Sequence, residues 1–291
     1  MTMNRGELKF SALSCGFNEN PGGPLVIFLH GFPDSARTFR LQLPALAKAG
    51  YRVIAPTLRG YEPSSQPDNQ DYTLLSLGED IVAWIEHMDE QQAHLIGHDW
   101  GGVIACVAAA QAPVRFSSLT AITAPHIARA TEITRNIPRQ LLLSWYIMFF
   151  QLRGISEAAV TRNDWTLLRT LWKNWAPGYQ LPESEWELML RQFDQPGVVR
   201  AALSYYRQNA SPGVFFGWRH LGLKSLKSVP VRCLVICGMD DGCFDHRIYD
   251  HVFSQDDFPA GLRVEKVDGA GHFPHQEKPQ EINSMLLDWL G

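Results

Sequence analysis

Short runs that are apolar from end to end alternate with stretches whose apolar residues recur every third or fourth position, and no other feature of this 291-residue chain restricts its fold more. Residues 25–29 (LVIFL), 51–55 (YRVIA), 93–96 (AHLI), 119–123, 231–237 and 262–267 have strand length and mostly lack the polar alternation of a sheet with one wet face. Such strands must be covered on both sides, and a parallel sheet achieves this because its crossover helices lie on its two faces. Helices are expected over residues 36–49, 76–88, 101–111 and 279–290. In the second of these Leu77, Ile81, Val82, Trp84 and Ile85 share one face. The middle differs: from Ile127 to Trp218 no strand is evident, and Leu168, Leu171, Trp172 and Trp175 form a helical stripe. The chain therefore reads as an α/β core built from residues 1–126 and 219–291, a mostly parallel sheet flanked by helices. An all-helical lid is inserted at 127–218.

Composition removes several classes of function. The 26 Lys and Arg against 30 Asp and Glu give a net charge of −4 with no basic run, which argues against a surface that tracks nucleic-acid phosphates. The longest apolar stretch, Leu141 to Phe150, is interrupted only by Ser144 and is half of the roughly 20 residues a membrane-spanning helix needs. That run could cover a site or meet another subunit, and the oligomeric state is not legible. Glu7 and Lys9 stand where a secretory leader is apolar, so a cytoplasmic location is expected. Cys15, Cys106, Cys233, Cys237 and Cys243 match no zinc spacing and read as reduced thiols. Cys233 and Cys237, four apart on one strand, lie roughly 13 Å from each other, beyond disulfide reach.

The chemistry concentrates in AHLIGHDWGG, residues 93–102, where an apolar strand ends in Gly97-His98-Asp99-Trp100-Gly101 and a small-residue helix follows. A strand-to-helix turn this tight needs glycine two residues to either side of the central side chain, and it projects that side chain above the sheet edge. The central residue is Asp99, already charged at neutral pH and able to attack a saturated carbon and form an ester with the protein. An Asp that merely caps the next helix is the plainer alternative. Three further segments agree with the chemical reading. FLHGFPD, residues 28–34, follows a strand and can turn backbone N–H groups into a site, so the N–H groups of Phe32 and Trp100 form a candidate oxyanion hole. VICGMDDGC places Asp241 past a strand end, and DGAGHFPHQEKP places His272 past the next. The order nucleophile, acid, histidine suits this architecture.

Together GHDWGG, HGFP and GAGHFPHQEKP resemble the α/β-hydrolase fold family, and specifically its epoxide hydrolase branch, over nearly the whole chain. Asp followed by Trp in the turn is shared with haloalkane dehalogenases, but those usually carry Asn after His-Gly where this chain has Phe32. Fluoroacetate dehalogenases share HGFP but usually have Arg where this chain has Trp100. SWYIMFFQ and ALSYYRQN resemble the lid segments whose tyrosines hydrogen-bond the epoxide oxygen, and the matching residues are Tyr146 and Tyr206. The chemistry needs such donors in any case, because ring opening leaves an alkoxide and a phenol stays protonated at neutral pH. The resemblance implies a small apolar epoxide and water as reactants, a vicinal diol as product, and no metal or organic cofactor. It also suggests a cis bond between Phe32 and Pro33.

His30, Gly31, Pro33, His98 and Phe273 flank these groups and are the expected pocket lining. In GMDD, Asp241 falls three residues after Gly238 as in the family's G-x-x-D, with Asp240 the other candidate. Thr57 and Glu62 depart from the family's usual Asp and Gly, which puts the geometry of the 55–65 loop in question. The substrate is open, from aryl and alkyl epoxides in detoxification to a specific metabolic intermediate. Two rival functions remain: a haloalkane dehalogenase using the same Asp99, and a hydrolase-fold protein that binds a ligand without turnover.

Overall fold

The computed structural model describes residues 1–211, 213 and 226–291. Eight strands form one sheet: β1 (Thr2–Arg5), β2 (Leu8–Cys15), β3 (Leu25–Leu29), β4 (Arg52–Pro56), β5 (Ala93–His98), β6 (Phe116–Ile122), β7 (Cys233–Gly238) and β8 (Leu262–Val267). Their spatial order is β1-β2-β4-β3-β5-β6-β7-β8. From β4 to β8 every pairing is parallel, while β1 and β2 pair antiparallel to each other and β2 to β4. All six apolar runs are strands, displaced by up to three residues at their ends. The β1–β2 hairpin was not expected. It alternates buried Met3 and Phe10 with exposed neighbours, the pattern of a strand wet on one face rather than of the central runs.

The strands between β4 and β7 are buried because each face has its own cover. Along β3, Leu25, Ile27 and Leu29 join the larger core with Ile81, Trp84 and Ile104. Val26 and Phe28 turn to the other face with Leu46, Ile282 and Leu286. Helix α2 (Leu74–His87) buries Leu74, Leu77, Ile81, Trp84 and Ile85 as its periodicity predicts. The helix expected over 36–49 is broken into a 3₁₀ turn at Ala36–Phe39 and α1 (Leu43–Lys48). Pro44 is the reason: with no N–H and a ring that clashes with the carbonyl four residues earlier, it suits only a first helical turn.

Between β6 and β7 the described residues hold helices and no strand. After α3 (Trp100–Gln111) these are α4 (Ala130–Asn136), α5 (Arg139–Leu143), α6 (Trp145–Phe149), α7 (Ile155–Thr161), α8 (Thr166–Trp175), α9 (Glu183–Phe193) and α10 (Val198–Asn209). The expected end of the insertion, at Trp218, lies outside the described residues. On α8 the stripe Leu168, Leu171, Trp172 and Trp175 is buried against the rest. The two departures in the 55–65 loop serve the hairpin. The Thr57 hydroxyl lies 3.0 Å from the Ser11 hydroxyl, and Glu62 Oε1 accepts from the Ser11 N–H at 2.6 Å.

Candidate active site

The loops that leave β3, β5, β7 and β8 at their carboxyl ends converge on one place, as chain reversals at the carboxyl edge of a parallel sheet do. The turn after β5 is as tight as the glycine spacing predicts. A Cβ on Gly97 would lie 2.2 Å from the Gly101 carbonyl oxygen, and one on Gly101 would lie 2.0 Å from that of Leu29. Between them Asp99 adopts φ 52°, in the left-handed region, and its side chain makes no capping bond to α3. The capping alternative is thereby excluded. Instead Asp99 Oδ1 accepts from the Phe32 N–H at 2.8 Å. Gly31 makes this approach possible, since a Cβ there would stand 2.4 Å from that same oxygen. The Phe32–Pro33 peptide is cis. Trp100 opens α3, so its N–H belongs to the first turn, which has no acceptor within the helix.

His272 faces this carboxylate. Its Nε2 lies 3.6 Å from Asp99 Oδ2 and makes no hydrogen bond, while Nδ1 lies 3.0 Å from Asp241 Oδ2. Asp241, rather than Asp240, is the partner, and its other oxygen accepts from the N–H groups of Cys243 at 2.6 Å and Phe244 at 3.0 Å. Burial opposes a charge on His272, but Asp241 and then Asp99 outweigh it and push the imidazole pKa up to about 10. The ring is thus an imidazolium while Asp99 is free. One carbonyl of the helical insertion ties both loops down: Trp175 O accepts from the Gly242 N–H at 3.1 Å and from the His272 N–H at 2.9 Å.

Tyr146 and Tyr206 approach from the insertion, on α6 and α10, with ring centroids 5.7 Å apart. Tyr206 stands edge-on to Trp100 at 5.0 Å and to Phe32 at 5.4 Å. Its hydroxyl is buried and makes no hydrogen bond of ordinary geometry among the described residues. The Tyr146 hydroxyl lies 3.3 Å from Cys243 Sγ. Burial raises both phenols well above 10, helped for Tyr206 by the Asp99 charge and for Tyr146 by Cys243, Tyr206 and Asp99, so both keep their protons. Tyr205, adjacent in sequence, instead donates to the Arg59 carbonyl at 2.7 Å, so its hydroxyl serves the packing of α10.

The remaining lining residues are second in line. His30 is held by the Leu58 N–H, which donates to Nε2 at 3.1 Å, and by the Gly31 carbonyl beside Nδ1; burial lowers its pKa to about 4. His98 donates from Nε2 to the His272 carbonyl at 2.8 Å, and burial keeps it neutral. Phe273 stacks on Trp172 with centroids 3.7 Å apart. Below them lies a buried polar set that the motifs contain but sequence reasoning did not assign. Thr38 Oγ1 lies 2.6 Å from His275 Nε2, and Gln276 donates to Thr38 Oγ1 at 2.8 Å and to Asp34 at 3.2 Å. Burial raises the Asp34 pKa to about 7. The HGFPD and GHFPHQ segments carried its signal as polar residues between apolar ones, but nothing in sequence brings 34 beside 276. Two groups, Asp34, His98 and His275, and Asp241, Cys243 and His272, have ligand-type atoms within 4.8 Å of one another. Part of their capacity goes to the hydrogen bonds above, while His98 Nδ1 and His275 Nδ1 make none among the described residues.

A family model described as alpha/beta hydrolase fold matches residues 24–279. The AB hydrolase superfamily protein YfhM of Bacillus subtilis is 34% identical over 270 residues, covering 92% of this chain and 90% of that protein. Epoxide hydrolase A of Mycobacterium tuberculosis is 30% identical over 305 residues, covering 93% and 91%. Among solved structures, an epoxide hydrolase of Bacillus megaterium in complex with an inhibitor has a TM-score of 0.85 at 26% identity, covering 100% of this chain and 99% of that one.

Proposed function

The chain belongs to the α/β-hydrolase fold family, on its epoxide hydrolase branch, and from that premise we propose that it converts an apolar epoxide to a vicinal diol through an ester on Asp99. The observation that carries this reading is the convergence of one buried carboxylate with two buried phenols that keep their protons, across from a histidine whose Nε2 is unbonded. Asp99 Oδ1 is held by the Phe32 N–H, so Oδ2 is the attacking oxygen. As the bond from Oδ2 to an epoxide carbon forms, the ring C–O bond breaks. Tyr146 and Tyr206 share the charge on the departing oxygen, and one of them passes it a proton.

The ester removes the negative charge of Asp99, one of the two that hold His272 protonated, so the imidazole pKa falls and the ring gives up its Nε2 proton, which restores the tyrosine that protonated the departing oxygen. His272, oriented by Asp241, then takes a proton from water through Nε2, and the water oxygen attacks the Asp99 carbonyl carbon. The oxyanion rests on the Phe32 and Trp100 N–H groups, the bond to the diol breaks, and the proton returns through His272. The helices α4 to α10 act as the lid that closes this site from water. Their aromatic edges against Phe32 favour an apolar substrate. The five free thiols suit a reducing compartment such as the cytosol.

The test is mass spectrometry of His272→Gln after exposure to a panel of epoxides and haloalkanes. Without its base the enzyme should stall, and a hydroxyalkyl adduct mapped to Asp99 is the expected result. A plain alkyl adduct formed from haloalkanes, with no diol from any epoxide in the wild type, would make it a dehalogenase. An unmodified protein whose ligand affinity is unchanged by Asp99→Asn would make it a binding protein.

A further inference from the structure

Six of the twelve exposed large hydrophobic side chains among the described residues fall within fifteen residues of the helical insertion: Leu141, Leu142, Trp145, Met148, Leu152 and Ile155. They follow one another along three short helices and the turns that join them, α5, α6 and the start of α7, and all of them are exposed. The uncharged run Leu141 to Phe150 makes up most of this segment, and the catalytic reading leaves its outer side unused. Tyr146, Ile147 and Phe150 of the same run are buried, whereas Leu142 is 76% exposed and Ile155 is 61% exposed. Half of the chain's described exposed large apolar side chains gathered in one short segment suit a docking face.

The charge around it selects the occupant. Between Ile133 and Ser156 the charged residues are Arg135, Arg139 and Arg153, all exposed, with no acid, in a chain of net charge −4. Arg139 lies 3.5 Å from Asp245, but that carboxylate is buried and already paired with Arg247 at 2.7 Å, so the rim remains basic. A second copy docking by two-fold symmetry would lay this patch on itself, arginines included, with no acid to meet them. An anionic bilayer offers both an acyl boundary for the apolar side chains and phosphates for the rim. A tryptophan among aliphatic residues with flanking arginines is the composition of a segment that lies in the interface. No described helix is long and apolar enough to cross a membrane.

We propose that this face docks the protein on an anionic lipid surface, with Leu142, Trp145, Met148 and Leu152 in the acyl boundary and Arg135, Arg139 and Arg153 on the phosphates. If the function proposed above holds, an apolar epoxide dissolved in the bilayer lies one helix away from the site, because α6 carries Tyr146 on its inner side.

The experiment is co-sedimentation with vesicles of phosphatidylcholine alone and of phosphatidylcholine with about one-third phosphatidylglycerol. The wild-type chain should pellet with the anionic vesicles, several-fold less with the neutral ones, and less again as salt shortens the Debye length to a few ångströms. The pair Leu142→Glu and Trp145→Glu should lower the bound fraction about tenfold. Arg135→Ser with Arg153→Ser should erase the preference for anionic lipid. Both pairs are surface changes and should melt with the wild type. No sedimentation with either vesicle, or undiminished binding by the glutamate pair, overturns the proposal. So does a dimer in light scattering that the glutamate pair dissociates while no vesicle is bound, which would assign the face to a second copy. Epoxide turnover is not part of the readout, so loss of the catalytic reading leaves this result standing.

Discussion

The two halves of the candidate site are held by different forces. On the sheet side every group is fixed by directional bonds from backbone: Asp99 by the Phe32 N–H, Asp241 by the Cys243 and Phe244 N–H groups, and His272 by Asp241 and by the Trp175 carbonyl that grips its main chain. On the helical side, among the described residues, the Tyr206 side chain is held by ring edges and Tyr146 adds a contact to a thiol. Groups that form and break bonds to carbon need fixed trajectories, where an error of 1 Å costs about 10²-fold in rate. Donors that only share charge with an oxygen must admit substrates of varied shape, and packing tolerates that.

Substitutions can break the contrast or sharpen it. Removing the nucleophile should have the largest effect: Asp99→Asn should lower diol formation at least about 10⁴-fold, measured as product from the best epoxide found. Gly31→Ala should lose about 10²-fold or more without touching a reacting group, because its Cβ would displace the Asp99 carboxylate. An alanine variant with full activity would mean that the sheet side is less rigid than its bonds imply. Tyr206→Phe and Tyr146→Phe should each slow ester formation by about 10²-fold in single-turnover measurements. Tyr206→Phe should cost more, since among the described residues the Tyr206 hydroxyl makes no hydrogen bond of ordinary geometry to compete with the epoxide.

A smaller effect should appear in stability against pH. His272 titrates near 10 in the folded protein, above its unfolded value of 6.5, so the stabilisation it draws from Asp241 and Asp99 is complete below about pH 6.5 and is lost as pH rises toward 10. The melting temperature of the wild type should therefore exceed that of His272→Gln by most at pH 6, and the gap should close by pH 10. Cys243→Ala should have the smallest consequence, a loss of about threefold in the rate of ester formation, and none in a Tyr146→Phe background.

Much of this was legible in the chain because it depends on local rules. The Gly97–Gly101 spacing dictates a turn that only one geometry satisfies, and the apolar runs at residues 25–29 and 93–96 dictate strands buried on both faces. The hairpin at β1 and β2 was missed because its alternation is short and half-wet. The 36–49 helix was overextended because apolar spacing was followed through Pro44, whose missing N–H ends such a helix. The contacts of Cys243 with Tyr146 and of Trp175 with residues 242 and 272 span about 70 to 100 positions, and no periodicity encodes them.

By itself, the sequence determined the residue types at the chemical centre and the strands that carry them, since charge, glycine spacing and apolar period are properties of neighbours in the chain. The family resemblance pointed to Asp241 and Tyr206, but only tertiary structure brings Asp241 to His272 and turns the Tyr205 hydroxyl away to the Arg59 carbonyl. Tertiary structure also decided that one face of the 141–155 segment is buried while the other meets solvent. Side chains of neighbouring residues point in different directions, and only the packing of distant segments determines which direction leads inward.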